Sequence, residues 1–543
     1  MQLYQNFCHV DFDSNGILNK FELDYPENYN FGYDVVDEMA RIAPDQKAML
    51  WRNQQEERTF TFREMSELSN KAANLFTSYG IKKGDKVLII LKRHYEYWYV
   101  VTALHKIGAV IIPATHMLTV DDMVYRINSV NIKAAIVTPD AATADRLIRA
   151  KEKTESLENI FVVKTPREGT IDFTKEMESM SADFERRDTL ASEPMLIYFT
   201  SGTTGYPKAV SHDHTYSLSH IVTAKYWQNV EENGLHLTIS ETGWGKASWG
   251  KIYGQWLCGC CVMTFDLDSF TPIEILRRIE EYKITSFCAP PTVYRYFVEA
   301  GMDKYDLSSL KYITTAGEAL NPEVWNKVKE QTGMSLMEGF GQTESVLMLA
   351  NLAGSTPKPG SMGKPTPIYD TALIDTEGNE VPAGSSGELV VIPKENQHGI
   401  FMGYADDPSL YEKVWRGGVY HTGDTAFMDE DGYYWYVGRI DDLIKTKGYR
   451  VGPFEIENVL MEHPAVTEVA VTGVPDPKRG QAIKATIILA PGYEETKELT
   501  REIKKFANQR LASYKWVQIY EFVDEMPKTI SGKIRRVEIR ENK

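Results

Sequence analysis

The chain has 543 residues, more than a single hydrophobic core usually supports, so two or more domains are expected. Hydrophobic residues make up 43% and charged residues 25%, the proportions of an ordinary soluble globular protein. Lys and Arg number 60 against 76 Asp and Glu, and the net charge of -16 disfavours a general nucleic-acid-binding surface; an anionic nucleotide needs a locally basic pocket.

The opening residues carry Cys8, Asp11 and Asp13 with no basic region ahead of an apolar segment. That is not a signal-peptide pattern, so a cytoplasmic location is expected. Thr61 and Glu64 form a capping-box pair, and Met65, Leu68, Ala72, Leu75, Phe76 and Tyr79 follow at helical spacing. Runs at 87–91, 109–113 and 134–138 read as buried strands, with a helix at about 95–106 between the first two. This is βαβ logic and predicts parallel sheets covered by helices. Lys92, Arg93 and Lys106 interrupt the most apolar region, so no membrane span is expected.

After the apolar run 195–199 comes Thr200-Ser201-Gly202-Thr203-Thr204-Gly205-Tyr206-Pro207-Lys208. Its glycines let main-chain N–H groups approach an anion, the hydroxyls of Thr200, Ser201, Thr203 and Thr204 add donors, and Lys208 adds a compact charge: a phosphate cradle. It is not the kinase-type loop, because Pro207 precedes the lysine and Ala209 follows it. Cys258, Cys260 and Cys261 crowd an apolar segment without a second cluster at zinc spacing, so buried thiols are expected there rather than a metal.

Strand-like runs return at 285–290, 312–315 and 335–337, each ending in a loop of Gly, Glu or Pro. Ligands of open α/β sheets bind where strand carboxyl ends open into such loops, which makes 316–318 and 338–344 candidates for one site shared with 200–208. After about residue 360 the runs shorten into a β-rich subdomain, and after Arg439 the composition suits a small α+β domain, with a helix near 454–461, strands near 466–472 and 483–489, and a polar helix at about 500–511. The expected division is 1–438 and 439–543.

Six segments in register carry a resemblance. The loop at 200–210, Gly339-Phe340-Gly341-Gln342-Thr343-Glu344, 420–424, 438–445, 448–450 and 527–533 resemble the adenylate-forming acyl-CoA synthetases, closest to the medium-chain and branched-chain branch. The resemblance spans most of the chain from about residue 50. It implies an α/β and α+β fold: a large N-terminal domain of parallel sheets with helices and a β-rich subdomain, then a small mobile C-terminal domain. It implies ATP, Mg2+ and coenzyme A. A carboxylate attacks the α-phosphate of ATP and expels pyrophosphate; the thiol of coenzyme A then attacks the acyl-adenylate and AMP leaves.

By the same resemblance, the residues from Thr200 to Lys208 hold the β- and γ-phosphates, with Lys208 among the catalytic groups. Glu338, Gly339, Phe340, Gly341, Gln342 and Thr343 line the ATP site, with Phe340 against the adenine, Thr343 on the α-phosphate and Glu344 holding Mg2+. The backbone of Gly317, Glu318 and Ala319 reads the adenine edge, and Asp424 and Arg439 hold the ribose. Lys533 is the catalytic lysine of the first half-reaction, Asp441 the hinge, and Lys447, Gly448, Tyr449 and Arg479 meet coenzyme A.

The chain departs from its relatives at Tyr514-Lys515-Trp516-Val517-Gln518, which lacks a Pro-Arg pair that contacts coenzyme A. Either Lys515 substitutes or another thiol is the acceptor. The resemblance also places Trp244, Gly245, Lys246 and Trp249 on the acyl-pocket wall, with Gly317, Gly339 and Gly341 opposite. The indoles should shorten the cavity while the glycines leave room for a branch or ring, which points to a short- to medium-chain, branched or aromatic acid. The stem of Lys246 is expected to pack, and His116 to be structural. Two other readings are a ligase loading a carrier-protein pantetheine and a non-catalytic nucleotide sensor; the retained Lys533, Thr343 and Glu344 favour an enzyme.

Overall fold

The computed structural model describes residues 2–200, 207–267, 270–447, 449–528 and 534–541. The expected helix forms as Phe62–Ser78, with the Thr61 side chain and Glu64 closing the capping box in both directions. The helix Glu96–Ile107 is buried throughout its length, because it lies between two layers rather than on the surface.

Two large sheets carry the N-terminal part. In the first, Lys86–Ile90 is flanked in parallel by Val110–Pro113 on one side and Ile132–Val137 on the other, and Pro194–Thr200 extends it. Lys208–Asp213 adds antiparallel to Pro194–Thr200, and the short strand Gly403–Tyr404 closes that edge. In the second, Leu336–Gly341, Tyr312–Thr315, Ser286–Ala289, Leu235–Thr238 and Cys261–Phe265 run in parallel. The strand expected to stop at 337 continues to Gly341, because Gly339, Phe340 and Gly341 pair with Leu347–Ala350. Part of the anticipated loop is therefore strand, which holds these residues more rigidly than a loop would. All five cysteines are buried free thiols.

The β-rich region is a five-stranded sheet in which Val419–Met428 pairs with Ser386–Ile392 and Tyr434–Arg439. A separate sheet built on the long hairpin Val466–Asp476 and Gly480–Leu489 carries the C-terminal part, covered by the helices Pro453–Met461 and Lys497–Arg510. Its apolar core, which includes Ile456, Leu460, Val471, Ile483 and Ile503, is distinct from those of the larger domain. Two cores of this kind are what a large and a small domain require. Among the described residues, no helix is long and apolar enough to cross a membrane.

Candidate functional site

A cleft of about 2600 Å3 opens where the two large sheets, the β-rich sheet and the C-terminal helix Pro453–Met461 meet. Thr200 and Lys208 face each other across an antiparallel pair at one wall, as strand ends. Below them Tyr125 donates its hydroxyl to the carbonyl of Pro207 at 3.1 Å, and the N–H of Ala209 donates to Asp406 at 3.0 Å. The base of the cradle is thus pinned on both sides. Ser201, Gly202, Thr203, Thr204, Gly205 and Tyr206 lie outside the described residues, as do Gly448 and Lys533.

Thr343 and Glu344 follow the strand Leu336–Gly341 and line the same cleft. Tyr404, from the edge strand beside Lys208–Asp213, donates its hydroxyl to Glu344 Oε1 at 3.0 Å, and the Lys208 ammonium sits 5.3 Å from the Tyr404 ring centroid. Burial raises the pKa of Glu344, against the lowering fields of Lys208 and Arg439.

Across the cleft Asp424, only 6% exposed, receives Gln342 Nε2–H at 2.5 Å and the Tyr436 hydroxyl at 3.3 Å, with the Arg439 guanidinium at 3.5 Å. Tyr420 donates to Gln342 Oε1 at 2.8 Å, so the amide is held in one orientation. These neighbours hold Arg439 firmly charged although burial opposes it. Tyr404 and Tyr436 were not singled out from sequence, nor was His212, whose ring reaches Thr343; Tyr420 opens the 420–424 segment but was given no role. A period-two count from Lys208 would have reached His212, since residues 208, 210 and 212 share a strand face.

Gly317, Glu318, Ala319, Gly339, Phe340 and Gly341 also line the cleft, and Phe340 stands 6.4 Å from the Tyr436 ring. Glu318 is engaged by the Thr292 hydroxyl at 2.7 Å. Glu338 is 4% exposed and its Oε2 has no hydrogen-bond partner among the described residues. Burial pushes its carboxyl up to about 8, with the Leu320 main chain opposing. Between its ordinary value of 4.5 and about 8, the folded protein keeps a proton that the unfolded chain releases. The resulting stabilisation is complete below pH 4.5 and disappears as pH rises through 8. Glu338→Gln should therefore gain a few degrees of melting temperature over the parent at pH 9 compared with pH 5. A melting difference that does not change with pH would disprove this protonation.

The acyl-pocket expectation needs two corrections. A methyl group built on Gly341 would lie 2.5 Å from Trp249 Cη2 and from the Val346 carbonyl oxygen, and one on Gly339 would lie 2.7 Å from Trp227. These glycines make room for indoles, not for substrate. The open positions are Gly245, where a methyl would meet nothing within 4 Å, and Gly317, where it would lie 4.0 Å from the Lys246 ammonium and where φ is +104°. Nor does Lys246 only pack its stem, since Nζ donates to the Ala316 carbonyl at 2.6 Å. His116 Nδ1 lies 3.1 Å from Glu241, in a local polar contact.

Lys447, Tyr449 and Arg479 are not brought to the cleft. Lys447 N–H donates to the Arg479 carbonyl at 2.8 Å, while Tyr449 is exposed and stacks on Tyr514 at 4.5 Å. Lys515 is committed to Glu455 at 2.5 Å.

The model of the AMP-binding enzyme family matches residues 36–405, and that of the AMP-binding enzyme C-terminal domain matches residues 455–533. The chain belongs to the AMP-binding enzyme family. It is similar to acyl-coenzyme A synthetase ACSM3, mitochondrial, of Homo sapiens, 39% identical over 99% of this chain and 92% of that protein. It is similar also to 4-hydroxybutyrate–CoA ligase 1 of Metallosphaera sedula, 40% identical over 94% and 90%. Among solved structures, the anthranilate CoA ligase AuaEII in complex with anthranoyl-AMP superposes with a TM-score of 0.88 at 28% identity, covering 95% of this chain and 98% of that one. This member of the family is an AMP-forming acid–thiol ligase. The mitochondrial relatives overturn the cytoplasmic location expected above; composition and opening residues describe a folded enzyme but carry no reliable address.

Proposed function

We propose that this AMP-binding enzyme activates a short- to medium-chain, branched or aromatic monocarboxylate with ATP and passes the acyl group to coenzyme A. The observation that carries this reading is one cleft holding Thr200 and Lys208, Thr343 and Glu344, and Asp424 and Arg439, beside a wall of Trp244 and Trp249. The 200–208 segment holds the outer phosphates, Thr343 the α-phosphate, and Asp424 with Arg439 the ribose. A single carboxylate with one oxygen already fixed by Tyr404 suits Mg2+, which binds through few carboxylates and completes its shell with phosphates and water. Glu344 would hold Mg2+, which would supply charge neutralisation for the phosphates.

The proposed domains are 1–438 and 439–543, pivoting at Asp441. Its carboxylate lies 3.6 Å from Arg439 and its carbonyl accepts from Arg540 at 2.9 Å, contacts that a rotation would exchange. Lys447, Tyr449 and Arg479 would then come to the acceptor side. The relatives named for 4-hydroxybutyrate and anthranilate support an acid of this size.

Pyrophosphate release across a panel of acids, with and without coenzyme A, tests the reading. Turnover should require coenzyme A and favour C4 to C8 or branched acids over palmitate. Trp249→Ala should raise kcat/KM for an acid longer by two methylenes by roughly tenfold relative to the parent. Better turnover of palmitate by the parent defeats the chain-length assignment, and a burst that coenzyme A cannot convert to turnover points to another acceptor.

A further inference from the structure

His212 lies on the strand Lys208–Asp213 and is fully buried. Its ring stacks on Tyr216, with centroids 4.0 Å apart and planes at 29°. Nε2 lies 2.7 Å from the main-chain oxygen of Thr343. A carbonyl oxygen only accepts, so Nε2 carries the proton and donates. Nδ1 is then the bare nitrogen, and it has no hydrogen-bond partner among the described residues.

A core histidine placed only for packing spends its polarity badly here. Burying an imidazole costs free energy that an apolar ring of the same shape would not, and the single hydrogen bond to Thr343 is what offsets it. That bond joins two segments far apart in sequence. Lys208 and His212 lie on one face of one strand, and Thr343 precedes Glu344, which Tyr404 holds from the adjoining strand. The turn at 342–345 is closed on itself by Ser345, whose hydroxyl accepts from Gln342 N–H at 3.0 Å, so a displacement at Thr343 moves the whole turn.

We infer that His212 is a positioning residue for the first half-reaction, its Nε2–H fixing the Thr343 main chain at a set distance from the strand that carries Lys208. The inference rests on the assignment of Thr343 to the α-phosphate. Burial pushes the imidazole down to about 4, so the ring is a neutral donor throughout the neutral range. Thr343 belongs to the bond-making step and not to ground-state capture alone, so loss of the brace should lower kcat for adenylation and leave the KM for ATP within about twofold.

The test compares His212→Gln, whose amide N–H reaches the position of Nε2, with His212→Asn, which reaches only that of Nδ1, and His212→Phe, which keeps the stacking. Pyrophosphate exchange and thermal melting are measured on each full-length protein, with Thr343→Ala alongside. Gln should stay within about threefold of the parent, while Asn and Phe fall by about 10²-fold in kcat without a matching fall in melting temperature. Equal behaviour of Gln and Asn, or losses that track melting temperature, would overturn the inference. Thr343→Ala with full activity removes the assignment it rests on; Thr343→Ala inactive with His212→Asn active removes the brace alone. If no His212 variant folds, imidazole 15N shifts of the parent decide it, a proton on Nδ1 and none on Nε2 being the outcome that refutes it.

Discussion

Lys533→Ala should lower acyl-adenylate formation by about 10²- to 10³-fold and leave thioester formation from supplied acyl-adenylate largely intact. The first half-reaction drives a carboxylate onto a polyanion. Two unit charges 4 Å apart interact with about 4 kcal/mol at an effective dielectric near 20, so one ammonium paired with both would offset a barrier of that order. Lys533 lies outside the described residues, but Lys528 and Ile534 on either side pair with each other and both line the cleft. The second half-reaction has a thiol attacking an acyl carbon that is already activated and carries one phosphate charge rather than a triphosphate, so the repulsion to be overcome is much smaller. Pyrophosphate exchange reads the first half and thioester release from synthetic acyl-adenylate reads the second. Equal losses in both would take the lysine out of this role.

Glu344→Gln should cost roughly 10²-fold in pyrophosphate exchange, because under the proposed assignment it removes the anionic ligand through which a bound Mg2+ would deliver several kcal/mol of charge stabilisation. Gln keeps the volume and can still accept from Tyr404, so folding should be preserved. The distinguishing measurement is calorimetric. Binding of a non-hydrolysable ATP analogue by the parent should strengthen with Mg2+, and the variant should lose most of that dependence. A variant with the parent's Mg2+ dependence would place the ion elsewhere. A Tyr404→Phe control should fall between the two, since it frees the carboxylate without neutralising it.

Local patterns were legible wherever the physics is local. The Thr61–Glu64 capping box, the buried helix before Ile107 and the alternation of strand and helix appear in the structure much as the spacing predicts, with ends shifted by a residue or two. The loop at 200–208 was legible from its own glycines, hydroxyls and lysine, whereas 339–344, 420–424 and 438–445 were assigned roles through the resemblance they carry together. The residues that hold these segments were not legible. Tyr404 and His212 look like ordinary core side chains until a strand pairing or a turn places them beside Glu344 and Thr343.

The acyl pocket shows the same limit from the other side. Glycine was read as space, but space belongs to the pair: over Gly341 it is taken by Trp249, ninety-two positions earlier, and over Gly317 it is left open next to Lys246. By itself the sequence determined the family and the two half-reactions it implies, through the resemblance carried by six short segments, and the order of the elements, because that order follows from residue type, periodicity and short-range capping. The tertiary structure alone decided which glycine faces an indole, which hydroxyl fixes Glu344 and which ring braces Thr343, because each depends on side chains from separate strands meeting within hydrogen-bond or van der Waals range, a condition no single segment encodes.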